Sequence, residues 1–279
     1  MSSDLPKVSI ITLNWNALED TIECLESLQK VAYPNFEVIV VDNGSECNQA
    51  QILKERFGDF IKVIENEVNY GFAKGCNIGM ADALNRGIDY MLLLNNDTVV
   101  APDFLDELIN VVRSDSKIGI AGGKIYTYSD RDKVWFAGGL VKNGSETIDI
   151  RQALKDEGQF EEIVECGWII GCLMLISREV LQTIGMFDEK FFFGGEDLDL
   201  CSRAEMEGYR ITWVPTCKIW HKEFLTSLHK RARILSLPMF YFFENSSVKT
   251  TVHEFVRTRA EKELWMDPND FPTSFDCPG

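Results

Sequence analysis

Residues 90–98 read Tyr-Met-Leu-Leu-Leu-Asn-Asn-Asp-Thr, an apolar run that stops on a block of polar side chains. Five residues without polar alternation fit a strand buried on both faces, as in a parallel sheet. Polar groups at its carboxyl end fall where such sheets bind ligands. The same pattern recurs toward the N-terminus. Val8–Leu13 leads into Asn14-Trp15-Asn16, Phe36–Val41 into Asp42-Asn43-Gly44-Ser45, and Ile61–Glu65 into Asn66–Gly71. Between these runs Leu18, Ile22, Leu25 and Leu28 recur at helical spacing, which predicts a helix over 17–30. Asn16 stands as its N-cap, with Glu19 completing a variant capping box. Further helices are predicted over 48–57 and 72–86, the latter closed by Gly87, and Pro102 opens one that runs to about Ser114. Strands alternating with helices predict an α/β architecture, a mostly parallel sheet with right-handed crossovers.

The rest of the chain is mixed. Residues 118–150 read as short strands and loops with paired glycines at 122–123 and 138–139. An apolar stretch over 163–177 precedes a short helix (178–184), and the aromatic loop Phe191–Gly195 leads into a helix that Gly208 ends. Arg210–Val214 reads as a strand extending through Trp220 to His221. From about Thr226 a basic stretch, an aromatic cluster and a proline-containing tail follow, so a soft boundary is placed near 225. The expected division is a main domain over 1–225, in two parts over about 1–115 and 116–225. Residues 226–279 are expected to form a C-terminal helical extension packed upon it.

Composition limits the function. With 44 acidic and 28 basic side chains the formal charge is −16, which opposes nonspecific nucleic-acid binding. Hydrophobic residues at 45% and charged residues at 26% argue against global disorder. The segment MSSDLPKVSI lacks the features of a signal peptide, and no apolar run reaches the roughly 20 residues of a transmembrane helix. None of the eight cysteines forms a CxxC pair, so buried free thiols in a reducing cytoplasm are expected rather than a zinc cluster. Lys222, Lys230, Arg231 and Arg233 beside Phe240–Phe243 would suit peripheral contact with an anionic membrane at its cytoplasmic face, although packing is the plainer reading.

Four features carry chemistry. Asp97 at a strand end suits Mg²⁺ or Mn²⁺, and its bland alternative is a turn residue bonding backbone amides. Glu196, Asp197 and Asp199 crowd a helix start, where carboxylates also favour the dipole, yet they exceed what capping requires. His221 suits a metal ligand or a hydrogen-bonded core histidine. The segment Asn69–Gly79 is rich in glycine but is neither GxGxxG nor a Walker loop. It suits a ligand at a helix N-terminus or close helix–sheet packing.

In order and spacing these pieces resemble the family-2 glycosyltransferases over roughly residues 7–222, and the Asn69–Gly79 wording is most similar to the rhamnosyltransferase branch. The resemblance implies a catalytic domain of GT-A fold over 1–225, with a Rossmann-like central sheet flanked by helices, its nucleotide-binding part over about 1–115 and its acceptor-binding part over about 116–225. It also implies inverting transfer of one sugar from dTDP-rhamnose or a UDP-sugar to a glycan, lipid-linked or other hydroxyl acceptor. By the same resemblance Thr12, Asn14, Asp42, Asn69, Gly71, Asn77, Asn95 and Asn96 would surround the nucleotide sugar, with Asp42 accepting from the N3–H of uracil or thymine. Asp97, as the last acid of a DxD motif, and His221 would hold Mn²⁺ or Mg²⁺. Asp197 would be the general base with Glu196 beside it, and Trp168 and Gly171 would face the acceptor. Asn95 replaces the first acid of DxD, which predicts modest metal affinity, and the QxxRW motif of processive members is absent. The competing readings are a GT-A domain that binds nucleotide or glycan without turnover and, last, a sugar nucleotidyltransferase. The latter would carry a basic glycine-rich loop where Asn14-Trp15-Asn16 stands.

Overall fold

The computed structural model describes residues 5–139 and 154–222, together with the backbone of 141–143 and 146–148. The expected C-terminal extension over 226–279 lies outside the described residues. In the first third the elements follow in order: β1 (Val8–Asn14), α1 (Leu18–Leu28), β2 (Phe36–Asp42), α2 (Gln49–Phe57), β3 (Ile61–Glu65), α3 (Gly71–Asn85) and β4 (Tyr90–Leu94). Then come β5 (Thr98–Val100), α4 (Phe104–Ser114), β6 (Ile118–Thr127), β7 (Lys133–Phe136), β8 (Val141–Asn143), β9 (Glu146–Ile148), β10 (Leu154–Lys155) and β11 (Val164–Glu165). The last described elements are β12 (Leu173–Ser177), α5 (Arg178–Ile184), α6 (Glu196–Met206) and β13 (Arg210–His221).

The main sheet runs β10-β7-β6-β12-β4-β1-β2-β3. β1 is parallel to both β2 and β4, and β2 is parallel to β3. Every residue of β1 except Leu13 is buried, which is why its apolar run shows no alternation. Since β2 and β4 lie on opposite sides of β1, the strand order reverses there, and a crevice opens at the carboxyl ends. Beyond β4 the direction changes. β12 runs antiparallel to both β4 and β6, and β13 lies parallel to β6 and antiparallel to β5 and β11. The sheet is thus parallel in its first four strands and mixed afterwards.

Helices cover this sheet through narrow contacts. A Cβ on Gly75 would lie 2.6 Å from Leu13 Cδ1, and one on Gly79 would lie 2.5 Å from Ile11 Cγ2. These two glycines therefore let α3 approach β1, and the packing alternative holds for them. α4 buries Phe104, Leu105, Leu108, Ile109 and Val112, a single stripe set against β6 and β13. Along β13 the register with β6 shifts between Val214 and Lys218, where Pro215 has no N–H to donate.

Two local expectations are corrected. Asn16 does not cap α1, whose N-cap is Ala17. Its side-chain oxygen accepts the Glu46 amide at 2.8 Å instead, and its backbone sits at φ +52°. Of the cysteines, 24, 76, 166, 172, 201 and 217 are free and buried, but Cys47 is disulfide-bonded. Among the described residues no helix is long and apolar enough to cross a membrane.

Candidate active site

The crevice begins where β1 and β2 end. Asn14 and Asp42 are register partners, so their side chains meet at the same edge. Asn14 Nδ2 donates to Asp42 Oδ2 at 2.7 Å, and the Ser45 amide donates to Asp42 Oδ1 at 2.9 Å. Asp42 is only 4% exposed. A buried carboxylate held by donors on both oxygens is a rigid acceptor. Thr12, two residues earlier on β1, is wholly buried, and its hydroxyl has no hydrogen-bond partner among the described residues. It lies beneath the edge that Asn14 occupies.

The head of α3 forms the next wall, and Asn43 organises it. Its Nδ2 donates to Asn69 Oδ1 at 2.9 Å and to the Gly71 carbonyl at 3.1 Å. Its Oδ1 accepts from Asn66 Nδ2 and from the Tyr70 amide. Asn69 Oδ1 also takes the Gly71 amide at 2.9 Å. Gly71 sits at φ +83°, and a Cβ there would lie 2.5 Å from the Phe192 carbonyl oxygen, which itself accepts from Phe72 N. Only glycine permits this approach of the 191–195 loop to the helix head. Asn77 bonds the segment before that loop: its Nδ2 donates to the Phe187 carbonyl at 2.9 Å and its Oδ1 accepts from the Phe187 amide. Both ends of the amide are occupied, so Asn77 clamps the segment that leads to Glu196.

On the other side of β1, Asn95-Asn96-Asp97 turns the chain from β4 into β5. Asp97 Oδ1 lies 3.1 Å from His221 Nε2 at the end of β13, and the Lys222 amide donates to the Asp97 carbonyl. Antiparallel pairing of β13 with β5 sets His221 opposite Thr98, which explains the meeting. The imidazole is buried under Trp135, whose ring centroid is 4.7 Å away. Burial disfavours its charged form, but the Asp97 carboxylate outweighs this and holds the pKa well above the ordinary histidine range. Loss of the proton shared between them would leave one oxygen and one nitrogen donor side by side, a set that fits a cation such as Mn²⁺. Among the described residues no cluster of three or more His, Cys, Asp or Glu side chains forms.

The acids of α6 complete the site. Asp197 is 7% exposed. Its Oδ2 accepts the Gly171 amide at 2.9 Å, and its Oδ1 accepts the Leu198 amide at 2.7 Å. Glu196 is buried beside it, with Oε2 unpartnered among the described residues. Burial, and then the charge of Asp197, push its carboxyl up to about 8. The two acidic centres meet on one turn. Gly171 holds Asp197, while the next residue, Cys172, accepts the Asn95 amide at 3.0 Å and rests its thiol against His221. From the Asp197 carboxylate to the Asn95 amide at the head of the Asp97 turn this path spans no more than about 13 Å.

The expected acceptor-side residues behave differently. Gly171 works through its amide, and its Cα packs on Phe72. Trp168 is 6% exposed, lies edge-on to Phe136, and has Gly139 pressed onto its ring. Trp135 lies half-buried over His221, and its place in an unremarkable sequence stretch gave no signal. Asn96 Nδ2 donates to Thr21 Oγ1 at 2.8 Å. Thr21 was likewise concealed, as one more residue on a helix face.

A family model described as "Glycosyl transferase family 2" matches residues 9–185, and one described as "N-terminal domain of galactosyltransferase" matches 159–230. Uncharacterized protein y4gI of Sinorhizobium fredii is 27% identical across 96% of this chain and 30% of its own length. The dTDP-rhamnosyl transferase RfbF of Shigella flexneri is 28% identical across 67% of this chain and 60% of its own. With a synthase of Staphylococcus epidermidis at 49%, the chain spans between about a third and three fifths of these curated relatives. Among solved structures, GalNAc-T7 with UDP, GalNAc and Mn²⁺ superposes at TM-score 0.64 with 16% identity, covering 94% of this chain and 55% of that one. The mannosyltransferase PcManGT of Pyrobaculum calidifontis, with GDP-Man and Mn²⁺, superposes at 0.60 with 18% identity, covering 94% and 70%. Those likenesses establish the GT-A fold, and the family match spans more than half of the chain. The protein belongs to glycosyl transferase family 2.

Proposed function

We propose that this chain transfers a single sugar from a pyrimidine nucleoside-diphosphate sugar to a hydroxyl acceptor, with inversion at the anomeric carbon. The observation that carries the reading is the turn at Gly171-Cys172, which fastens Asp197 and the Asp97 turn to one crevice. Asp42 is the acceptor for the N3–H of the base, since its carboxylate is fixed by Asn14 and Ser45. That requirement fits uracil or thymine, and the printed name of the Shigella relative, a dTDP-rhamnosyl transferase, agrees with it.

A leaving nucleoside diphosphate develops negative charge in a chain whose formal charge is already −16. Lys222, the nearest described cation in sequence to His221, is committed to Asp20 and Glu23. Asp97 and His221 would hold a divalent cation, as both solved neighbours contain Mn²⁺. When bound, the ion neutralises the diphosphate oxygens. The residues of the chain do the rest. Asn43 and Gly71 hold the donor-side wall, and Asn77 holds the loop before α6. Asp197, oriented by the Gly171 amide, takes the proton from the attacking hydroxyl as the bond to the anomeric carbon forms. Burial and the neighbouring Asp197 carboxylate keep Glu196 protonated near neutrality.

Incubation of the purified chain with dTDP- and UDP-sugars and Mn²⁺ tests this reading by release of the nucleoside diphosphate. Release that Asp197→Asn abolishes supports it. Tight binding of nucleotide sugars with no release in the presence of hydroxyl acceptors would make the chain a binding module instead.

A further inference from the structure

Asn14 is fully buried, and its surroundings fix which way its amide points. Nδ2 faces Asp42 Oδ2 at 2.7 Å, Ser45 Oγ at 3.1 Å and Gln49 Oε1 at 3.1 Å, all oxygens. Oδ1 is thereby turned to Thr21 Oγ1, 2.8 Å away. Thr21 has one proton to give. Helical threonines commonly give it to the carbonyl four residues back, and Ala17 O is present at 3.0 Å. That choice would leave Asn14 Oδ1 buried and without a donor among the described residues, so the proton belongs to Asn14. The lone pairs of Thr21 then face Asn96 Nδ2 at 2.8 Å. Every donor points the same way, from Asn96 through Thr21 and Asn14 to the Asp42 carboxylate.

We propose that Thr21 is a positioning residue whose single hydroxyl aligns both the base-reading carboxylate of Asp42 and the Asn96-Asp97 turn, so that nucleotide and cation binding are coupled through it. The inference rests on the roles of Asp42 and Asp97 given under the proposed function. It goes beyond them by assigning the link between the two halves of the donor site to a residue that touches neither ligand. Asn96 shares a peptide bond with Asp97, and its amide is tethered to Thr21. Anything that tightens the base end of the chain therefore restrains the turn, and by thermodynamic reciprocity the reverse also holds.

The test is calorimetric binding of UDP and dTDP, in EDTA and in saturating Mn²⁺, to the wild-type chain, Thr21→Val and Thr21→Ser. Valine keeps the buried volume and removes the hydroxyl; serine keeps the hydroxyl. Thr21→Val is expected to weaken nucleotide binding about tenfold in EDTA, the size of one lost hydrogen bond. It should also cut the enhancement by Mn²⁺ about threefold, while Thr21→Ser stays within about twofold of wild type on both counts. Unchanged affinities in Thr21→Val overturn the inference, and so does a Thr21→Ser as weak as the valine variant, because packing of the methyl would then be the cause. Where Thr21→Val shows no cooperative thermal transition, Asn96→Ala severs the chain from its half-buried end. It must show the same loss of Mn²⁺ enhancement, and an unchanged enhancement refutes the coupling. A wild-type chain that binds neither nucleotide overturns the transferase reading, and this inference with it.

Discussion

Replacing Glu196 with glutamine should change how stability depends on pH, and the size follows from the site. The side chain is 4% exposed at the first position of α6, and burial together with the charge of Asp197 raises its carboxyl from the ordinary 4.5 to about 8. In the unfolded chain it ionises near its ordinary value, whereas in the folded chain it stays protonated until about pH 8. Between those values the native state holds one proton more than the unfolded state, so stability falls as pH rises, and the effect levels off above about 8. A rise of that size corresponds to about 4–5 kcal/mol across the window, since each unit is worth about 1.4 kcal/mol. Glu196→Gln has nothing to titrate and should lack this slope. The test is urea unfolding of both proteins at pH 5, 6.5 and 8, with the slope m checked for constancy. The stability of the variant relative to wild type should grow by several kcal/mol from pH 5 to 8, equivalent to roughly 10 °C in Tm for a protein of this size. Two parallel curves would refute the reasoning, because they would mean that Glu196 is ionised in the folded chain at neutral pH.

Three further outcomes are expected. Asp197→Asn should lower turnover by about 10²-fold or more while leaving the calorimetric affinity for UDP or dTDP within about twofold, as a general base touches the acceptor and not the nucleotide. Asp97→Ala should abolish the Mn²⁺ dependence of nucleotide binding, and a variant that still responds to Mn²⁺ would move the metal site elsewhere. Gly71→Ala forces a Cβ to within 2.5 Å of the Phe192 carbonyl at φ +83°, so it should cost about 2 kcal/mol or more in chemical denaturation and weaken nucleotide binding.

The parts of the molecule legible in the sequence are those with local causes. Val8–Asn14, Phe36–Asp42 and Tyr90–Leu94 announce themselves because strands covered on both faces need long apolar runs, while the edge strand Ile61–Glu65 keeps Lys62 and Glu65 exposed. Their polar ends mark the crevice because such ends have nowhere else to face. What depends on distant pairing was not legible. The apolar stretch over 163–177 reads as a single run, yet it divides into β11, a turn carrying Gly171, and β12, which inserts between β4 and β6. Asn77 stands among residues that suit a ligand, but a loop more than a hundred positions along the chain claims both ends of its amide. Trp168 has the chemistry of a sugar platform, and Gly139 lies across its face. No spacing rule reports that Asn16 would bond Glu46 instead of capping its own helix.

Fastening Asp197 and the Asp97 turn to consecutive residues has an evolutionary and engineering corollary. The proposed proton acceptor and the proposed leaving-group side are tied to one turn, so their separation is insulated from change in the outer strands between β6 and β11. New acceptors can be accommodated by rebuilding those outer strands without recalibrating the reaction distance. A substitution at Gly171 or Cys172, by contrast, disturbs both halves of the chemistry together, however conservative it looks on paper.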